Sequence, residues 1–173
     1  MNWYVIDKEY VEYLHGFDDK VEHISYGERL KPYIGILLHI NNFSYYVPVS
    51  SAKPKHDKIK EDIDIFKIKE KSRKILGVLN INNMVPVLDE YVIKLDYEKI
   101  DMYRKFFDKK EELKYVKFLA KELEIVNNNI NIIREKAERT YRIKSDFPNA
   151  RISSRCCDFK LLEEKASNYR LIC

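Results

Sequence analysis

YIGILLHINNFSYYVPVSSA, residues 33–52, runs for twenty residues without one Asp, Glu, Lys or Arg, and Asn41 and Asn42 stand near its centre. Ile34, Ile36, Leu38 and Ile40 alternate before that pair, and Phe43, Tyr45, Val47 and Val49 alternate after it. A period of two on both sides of a two-residue Asn turn reads as a β-hairpin. The other face of the second strand carries Tyr46, Pro48 and Ser50. Pro48 lacks the N–H that a ladder needs, so an edge or a bulge is expected there.

Working outward, Trp3 to Ile6 reads as a short strand and Lys8 to Leu14 as a helix capped by Asp7 and ended by Gly16. Lys20 to Lys31 is polar and irregular, a loop. Ile63 to Ile68, Ile75 to Leu79, Met84 to Leu88 and Val92 to Leu95 are strand candidates. After Asp101 the apolar period becomes 3.6, with Leu113, Val116, Ala120, Leu123, Val126, Ile130, Ile133 and Ala137 on one seam, which predicts a single long helix. Lys144 to Arg155, with Pro148 and Asn149, is expected to be loop, and Asp158 caps a last helix through Leu161, Leu162 and Ala166. The expected fold class is α+β: a compact, twisted antiparallel sheet of five to six strands flanked by about four helices. With 173 residues and no repeat or linker, residues 1–173 form one domain by this reading.

Hydrophobic residues make up 45% of the chain and charged residues 35%, which excludes disorder, and no window approaches the roughly 20 apolar residues of a spanning helix. A soluble cytoplasmic protein with no membrane partner is expected. Three cysteines, Cys156, Cys157 and Cys173, have neither metal-ligand spacing nor an even disulfide count, and read as reduced thiols. The net charge of +4 resides after residue 124, where ten Lys/Arg meet six Asp/Glu. Arg142, Lys144, Arg151 and Arg155 belong to that excess. A polyanion is the partner such a segment attracts, and a solvated helix face is the other reading.

The densest group of reactive side chains follows the hairpin: Ser50, Ser51, Lys53, Lys55 and His56. Hydroxyls can donate to non-bridging phosphate oxygens, ammonium groups can offset charge growing on a pentacoordinate phosphorus, and an imidazole can move protons near neutral pH. Such a set suits phosphoryl transfer with no metal and no cofactor. A polar turn without function accounts for the same residue types, and a serine-lysine hydrolase pairing Ser51 with Lys53 is a further alternative.

Five blocks in order resemble the ToxN/AbiQ-like type III toxins. KPYIGILL (31–38) followed by YVPVSSAKPKH (46–56) is similar to the family's opening hairpin and its P-L-S/T-S-P-K-x-K-H segment. LGVLNINNMVPV (76–87) is similar to its L-G-x-L-N…M-I-P stretch, and CDFKLLEEK (157–165) to its C-x-F-x-L-L-E-E-K helix. YVEYL (10–14) with FDDKV (17–21) resembles its N-terminal run. The resemblance implies a fold related to the small-barrel ribonuclease toxins and an endoribonuclease that cuts RNA by 2′-hydroxyl attack, leaving a 2′,3′-cyclic phosphate. It also implies an antitoxin that is a repeat-derived RNA pseudoknot, alternating protein–RNA assemblies, and service in phage defence or replicon maintenance.

Carried over by position, the resemblance puts the family's active-site lysine on Lys31, its hydroxyl pair on Ser50 and Ser51, its next lysine on Lys53 and its terminal histidine on His56. The nearest counterpart of the family's upstream tyrosine is Tyr26. Ala52 stands where the family has proline. Lys31, Lys53 and Ser51 are then expected around the scissile phosphate, with proton transfer open between His56 and a lysine. Tyr26, Lys55, Arg142, Lys144, Arg151 and Arg155 are expected to hold RNA. The runner-up is a module that binds RNA without cutting it.

Overall fold

The computed structural model describes residues 1–22, 25, 26 and 29–169, with the backbone alone at 25, 26, 29 and 30. The Tyr26 side chain and Cys173 lie outside the described residues. The strands are β1 (Asn2–Ile6), β2 (Ser25–Tyr26), β3 (Arg29–Leu30), β4 (Tyr33–Gly35), β5 (His39–Ile40), β6 (Phe43–Ser51), β7 (Ile65–Lys69), β8 (Ile75–Asn80), β9 (Val85–Val87) and β10 (Val92–Lys94). The helices are α1 (Lys8–His15), α2 (Pro54–Lys58), α3 (Lys109–Asn128), α4 (Ile130–Asp146) and α5 (Phe159–Tyr169).

Eight strands form one antiparallel sheet ordered β10-β1-β4-β6-β8-β7, with β5 and β9 pairing on β6. Ser44 faces His39 of β5 on one side and Val87 of β9 on the other, so β5 continues the lane of β4 and β9 that of β8. Eight strands therefore fill six lanes, more segments than the five to six expected. The expected loop from Lys20 to Lys31 contains a separate ladder, β2 with β3.

The hairpin turns at Asn41, whose φ of 53° is the left-handed region that Asn tolerates. The first strand does not keep its alternation. A cis Gly35–Ile36 peptide bond stands between β4 and β5, Leu37 and Leu38 are both buried, and Ile36 is only half-buried. A Cβ on Gly35 would collide with the Tyr46 ring, so glycine is what lets that ring lie on the strand. Pro48 lies on the central strand, not at an edge. The N–H groups of Tyr45 and Val49 point toward the β4–β5 lane, to Leu38 and Pro32, so the Pro48 nitrogen faces the other way. On that side partners are lost between Tyr46, paired with β9, and Val49, paired with β8, and no ladder bond is forfeited.

The single long helix is two. The chain breaks at Asn129, with φ −118° and ψ 18°, whose Nδ2 donates to Ile125 O at 2.8 Å. Asn side chains compete for helix carbonyls, and three in a row at 127–129 end the helix. The seam is displaced as well: Leu119, Glu122 and Val126 are buried on α3, whereas Leu113 is 51% exposed. The register that buries Leu119 also takes Trp3, whose Nε1 donates to Leu119 O at 2.9 Å. Helix α4 runs on to Asp146, so only the later part of the expected 144–155 loop is non-helical, and Ser153–Arg155 forms a 3-10 turn.

Trp3, Tyr10, Tyr33, Tyr45, Tyr46 and Phe159 are the largest fully buried side chains. Tyr45 and Tyr141 both donate to Glu163 Oε1, at 2.8 and 2.6 Å, which fastens β6 and α4 to α5. Among the described residues no helix is long and apolar enough to cross a membrane.

Candidate active site

The ladder registers arrange the reactive groups. Ser50 faces Val78, and Val78 faces Lys67 on β7. Tyr33 faces Pro48, and Val49 N donates to Pro32 O, so Lys31 stands opposite Ser50. Cross-strand partners share a face. Lys31, Ser50, Val78 and Lys67 therefore make one row over four lanes, about 14 Å at 4.8 Å per lane. That row floors a cleft of about 720 Å³, and Ser51, Lys53, Lys55, His56, Glu22, Asn80, Arg104 and Tyr115 are among its other lining residues.

Lys53 leaves the sheet in extended conformation and Pro54 opens α2 at its first turn, where the fixed φ of proline suits a helix start. Ala52 N donates to Leu76 O at 3.1 Å, a ladder bond that proline could not make. His56 turns back: its backbone N donates to Lys53 O at 2.8 Å, and its Nδ1 accepts from Lys53 N at 3.1 Å. The neutral imidazole therefore carries its proton on Nε2. His56 is 6% exposed, and burial, then the charges of Lys55, Lys53 and Lys67, lower its pKa from the usual histidine value, with Asp57 opposing.

Lys31 is 9% exposed and ion-paired with Glu22. Burial first and the Lys53 charge second pull its ammonium down to about 8. Asn80 Nδ2 donates to Glu22 Oε1 at 2.6 Å and to Ser50 Oγ at 2.9 Å. The Ser50 oxygen is thus held as an acceptor while its own O–H is free to donate. Lys67 is 8% exposed, and no carboxylate pairs with it among the described residues. Five cationic side chains and one carboxylate line the cleft, which favours a polyanion.

The structure brings Lys31, Ser50, Ser51, Lys53, Lys55 and His56 into this one cleft, and Arg142, Lys144, Arg151 and Arg155 are not among its lining residues. Arg142 lines a separate groove with Arg134 between α4 and the β4–β5 bend. Arg151, beyond the end of α4, is exposed, and Lys144 in the last turn of α4 is half-buried. Arg155 is committed to Asp64, at 3.0 Å, a carboxylate only 1% exposed. Arg155→Ala would leave that carboxylate without its charge partner, and we expect a loss of about 1–3 kcal/mol in urea unfolding. An unchanged midpoint would show the pair to be dispensable.

Glu22, Lys67, Asn80, Arg104 and Tyr115 were not singled out from sequence. Asn80 ends the conspicuous LGVLN stretch and Glu22 follows FDDKV, whereas Lys67 has no local mark, since a lysine in IFKIK reads as a solvent-facing strand position. The serine-lysine hydrolase loses support because Lys53 is exposed, and a lysine base in that chemistry is desolvated. Burial pushes the Cys156 thiol up to about 11 and Cys157 well above its usual value, which leaves both poor nucleophiles.

An antiparallel sheet that carries lysines, serine hydroxyls and an imidazole in one basic cleft is suited to phosphoryl transfer on a polyanion. The family profile described as Toxin ToxN, type III toxin-antitoxin system, matches residues 2–167. The chain belongs to this family, whose ToxN and AbiQ members are endoribonucleases, and it is an endoribonuclease toxin of that type. Endoribonuclease ToxN of Pectobacterium atrosepticum is 30% identical, covering 98% of this chain and 94% of its own. Endoribonuclease AbiQ of Lactococcus lactis subsp. lactis is 30% identical over 98% of this chain and 89% of its own. A solved structure of AbiQ, described as a lactococcal anti-phage endoribonuclease, superposes with a TM-score of 0.81 over 98% of this chain and 97% of that one. Another, 25% identical with a TM-score of 0.79 over 98% and 99% of the two chains, concerns selective toxin inhibition by a non-coding RNA pseudoknot.

Proposed function

We propose that residues 1–173 act as one domain that cleaves RNA without a metal, by attack of a 2′-hydroxyl on the adjacent phosphate, to give 2′,3′-cyclic phosphate and 5′-hydroxyl ends. The observation that carries this is the row of Lys31 and Ser50 beside Lys53 and His56 in a cleft of net positive charge. Lys53 offsets the charge that grows on the phosphorane, as a metal ion would elsewhere. The hydroxyls of Ser51 and Ser50 donate to non-bridging oxygens.

His56 offers Nε2–H, a donor, because its Nδ1 lone pair is engaged by the Lys53 backbone. It therefore holds the phosphate rather than taking the 2′-hydroxyl proton. Lys31, lowered to about 8, is matched to the working pH and serves as general base: it takes the 2′-hydroxyl proton as the O2′–P bond forms, the P–O5′ bond breaks, and water protonates the departing 5′ oxygen. The base must be unprotonated in free enzyme, so kcat/KM should rise about tenfold per pH unit up to about 8 and then level off. His56→Ala should lower the plateau but leave that bend in place. A bend that disappears with His56 would transfer the base role to the imidazole.

A pseudoknot RNA antitoxin, as described for the solved relative, would occupy the same cleft in alternating protein–RNA assemblies within the cytoplasm. Tyr26, Lys55, Arg142, Lys144 and Arg151 supply its wider footprint, with Arg155 contributing little net charge beside Asp64. The test of the chemistry is the 3′ end of RNA incubated in chelator. Cyclic phosphate from the wild type supports the reading, and intact RNA that remains bound would favour a binding module.

A further inference from the structure

We propose that Arg104 and Tyr115, backed by Phe106, form a nucleobase-stacking subsite in the active cleft, which selects the base beside the scissile phosphate. The proposal rests on the reading of the cleft as the RNA-cleaving site. Arg104 and Tyr115 line the same cleft as Lys31, Lys53 and His56, yet no step of the phosphoryl transfer uses them. The Arg104 guanidinium carbon lies 4.4 Å from the Tyr115 ring centroid and 5.3 Å from that of Phe106, and the two rings are 5.6 Å apart at 48°. Planar guanidinium and aromatic faces are the surfaces on which single-stranded bases stack.

The cluster is set before any ligand arrives. Arg104 Nη2 donates to Glu111 Oε1 at 3.0 Å, and Glu111 Oε2 accepts from Phe107 N at 2.8 Å. The Phe107 N–H, with help from Arg104, holds the Glu111 carboxyl below the usual carboxylate range, so the brace stays charged at working pH. A fixed platform spares the ordering cost that a mobile loop would add on binding. Arg104 Nε is buried and has no acceptor among the described residues, an unmet donor of the kind a base edge can satisfy. Next to it, Phe107 is 95% exposed, a large aromatic on the loop that the core does not use. The platform adjoins the lysines that hold phosphate, and a chain with phosphates and bases at alternating positions fits both.

The experiment sequences the 5′-hydroxyl ends that the wild type, Arg104→Ala, Arg104→Lys and Tyr115→Leu release from a random RNA pool. It then measures kcat/KM on a short RNA with one preferred site, intact or abasic at each position flanking the cut. We expect one abasic position to cost the wild type about 10- to 100-fold, the worth of one stacked base. Arg104→Ala should lose a similar factor on intact RNA, lose nothing further on the abasic one, and show a flattened base preference there. Arg104→Lys, which keeps the charge and loses the plane, should behave in the same way, and Tyr115→Leu should also flatten the preference. Wild-type preferences and a full abasic penalty in all three variants would overturn the subsite, whatever their overall rates. Wild-type protein that cuts nothing would overturn the cleft reading as well. Activity that Lys53→Ala abolishes would keep that reading and confine any failure to the subsite.

Discussion

Lys53→Ala lowers kcat for RNA cleavage by about two to three orders of magnitude and leaves the thermal midpoint unchanged, as expected for one charge-stabilising donor removed from a reaction centre. Lys53 is exposed at the end of β6 and makes its local structure through its backbone, N to His56 Nδ1 and O to His56 N, so truncating the side chain touches no packing. Binding of uncleaved RNA should fall much less than kcat, because four other cationic side chains line the cleft. Arg in its place restores charge but not the compact point donor, and only partial recovery is expected. Single-turnover assays in chelator read this directly, and a Lys53→Ala protein within tenfold of wild type would move the phosphorane-stabilising role to Lys31 or Lys67.

Trp3→Ala is the structural counterpart, with an expected loss of about 3–5 kcal/mol, the usual cost of emptying an aromatic site in a packed core. For a chain of this size that lowers the midpoint by about 10 °C. Trp3 is 2% exposed and joins β1 to α3 through Nε1 to Leu119 O. Trp3→Phe should recover most of the packing and forgo about 1 kcal/mol for the hydrogen bond. Since Tyr115 is one turn before Leu119 on the same helix, the alanine variant should also weaken the hold of α3 on the cleft. Calorimetry that placed Trp3→Ala within 1 kcal/mol of wild type would mean that the site collapses freely, contrary to its burial.

Much of this protein was readable without coordinates where the signal is local. Asn41-Asn42 between two alternating runs marked the hairpin, Asp7 marked the start of α1, where its Oδ1 accepts from Tyr10 N at 2.9 Å, and the SSAKPKH stretch marked one wall of the cleft. The failures were also local. The 3.6 period carried the helix through Asn127 to Asn129, because hydrophobic spacing does not register side chains that compete for backbone carbonyls, and Glu122 hid the buried seam of α3 by being a carboxyl. Burial raises its pKa to about 8, and Gly77 admits it against β8, where any Cβ would meet its Oε1.

The order of residues was enough to place the hairpin turn, to offer phosphoryl transfer as one chemistry of its polar end and to mark the likeness to the family. These depend on residue type and short spacing, quantities that a linear string contains. Tertiary structure alone decided which groups act together. Registers across four lanes set Lys67 in line with Ser50 and Lys31, and Asn80 joins Glu22 to Ser50 across distant segments. Arg104, from the stretch leading into α3, and Tyr115, on α3 itself, reach the same cleft. Arg155, unpaired as a letter in a basic run, is claimed by the buried Asp64. The reason is physical: charge pairing, desolvation and shared strand faces act over a few ångströms of space, between residues that the chain separates by tens of positions.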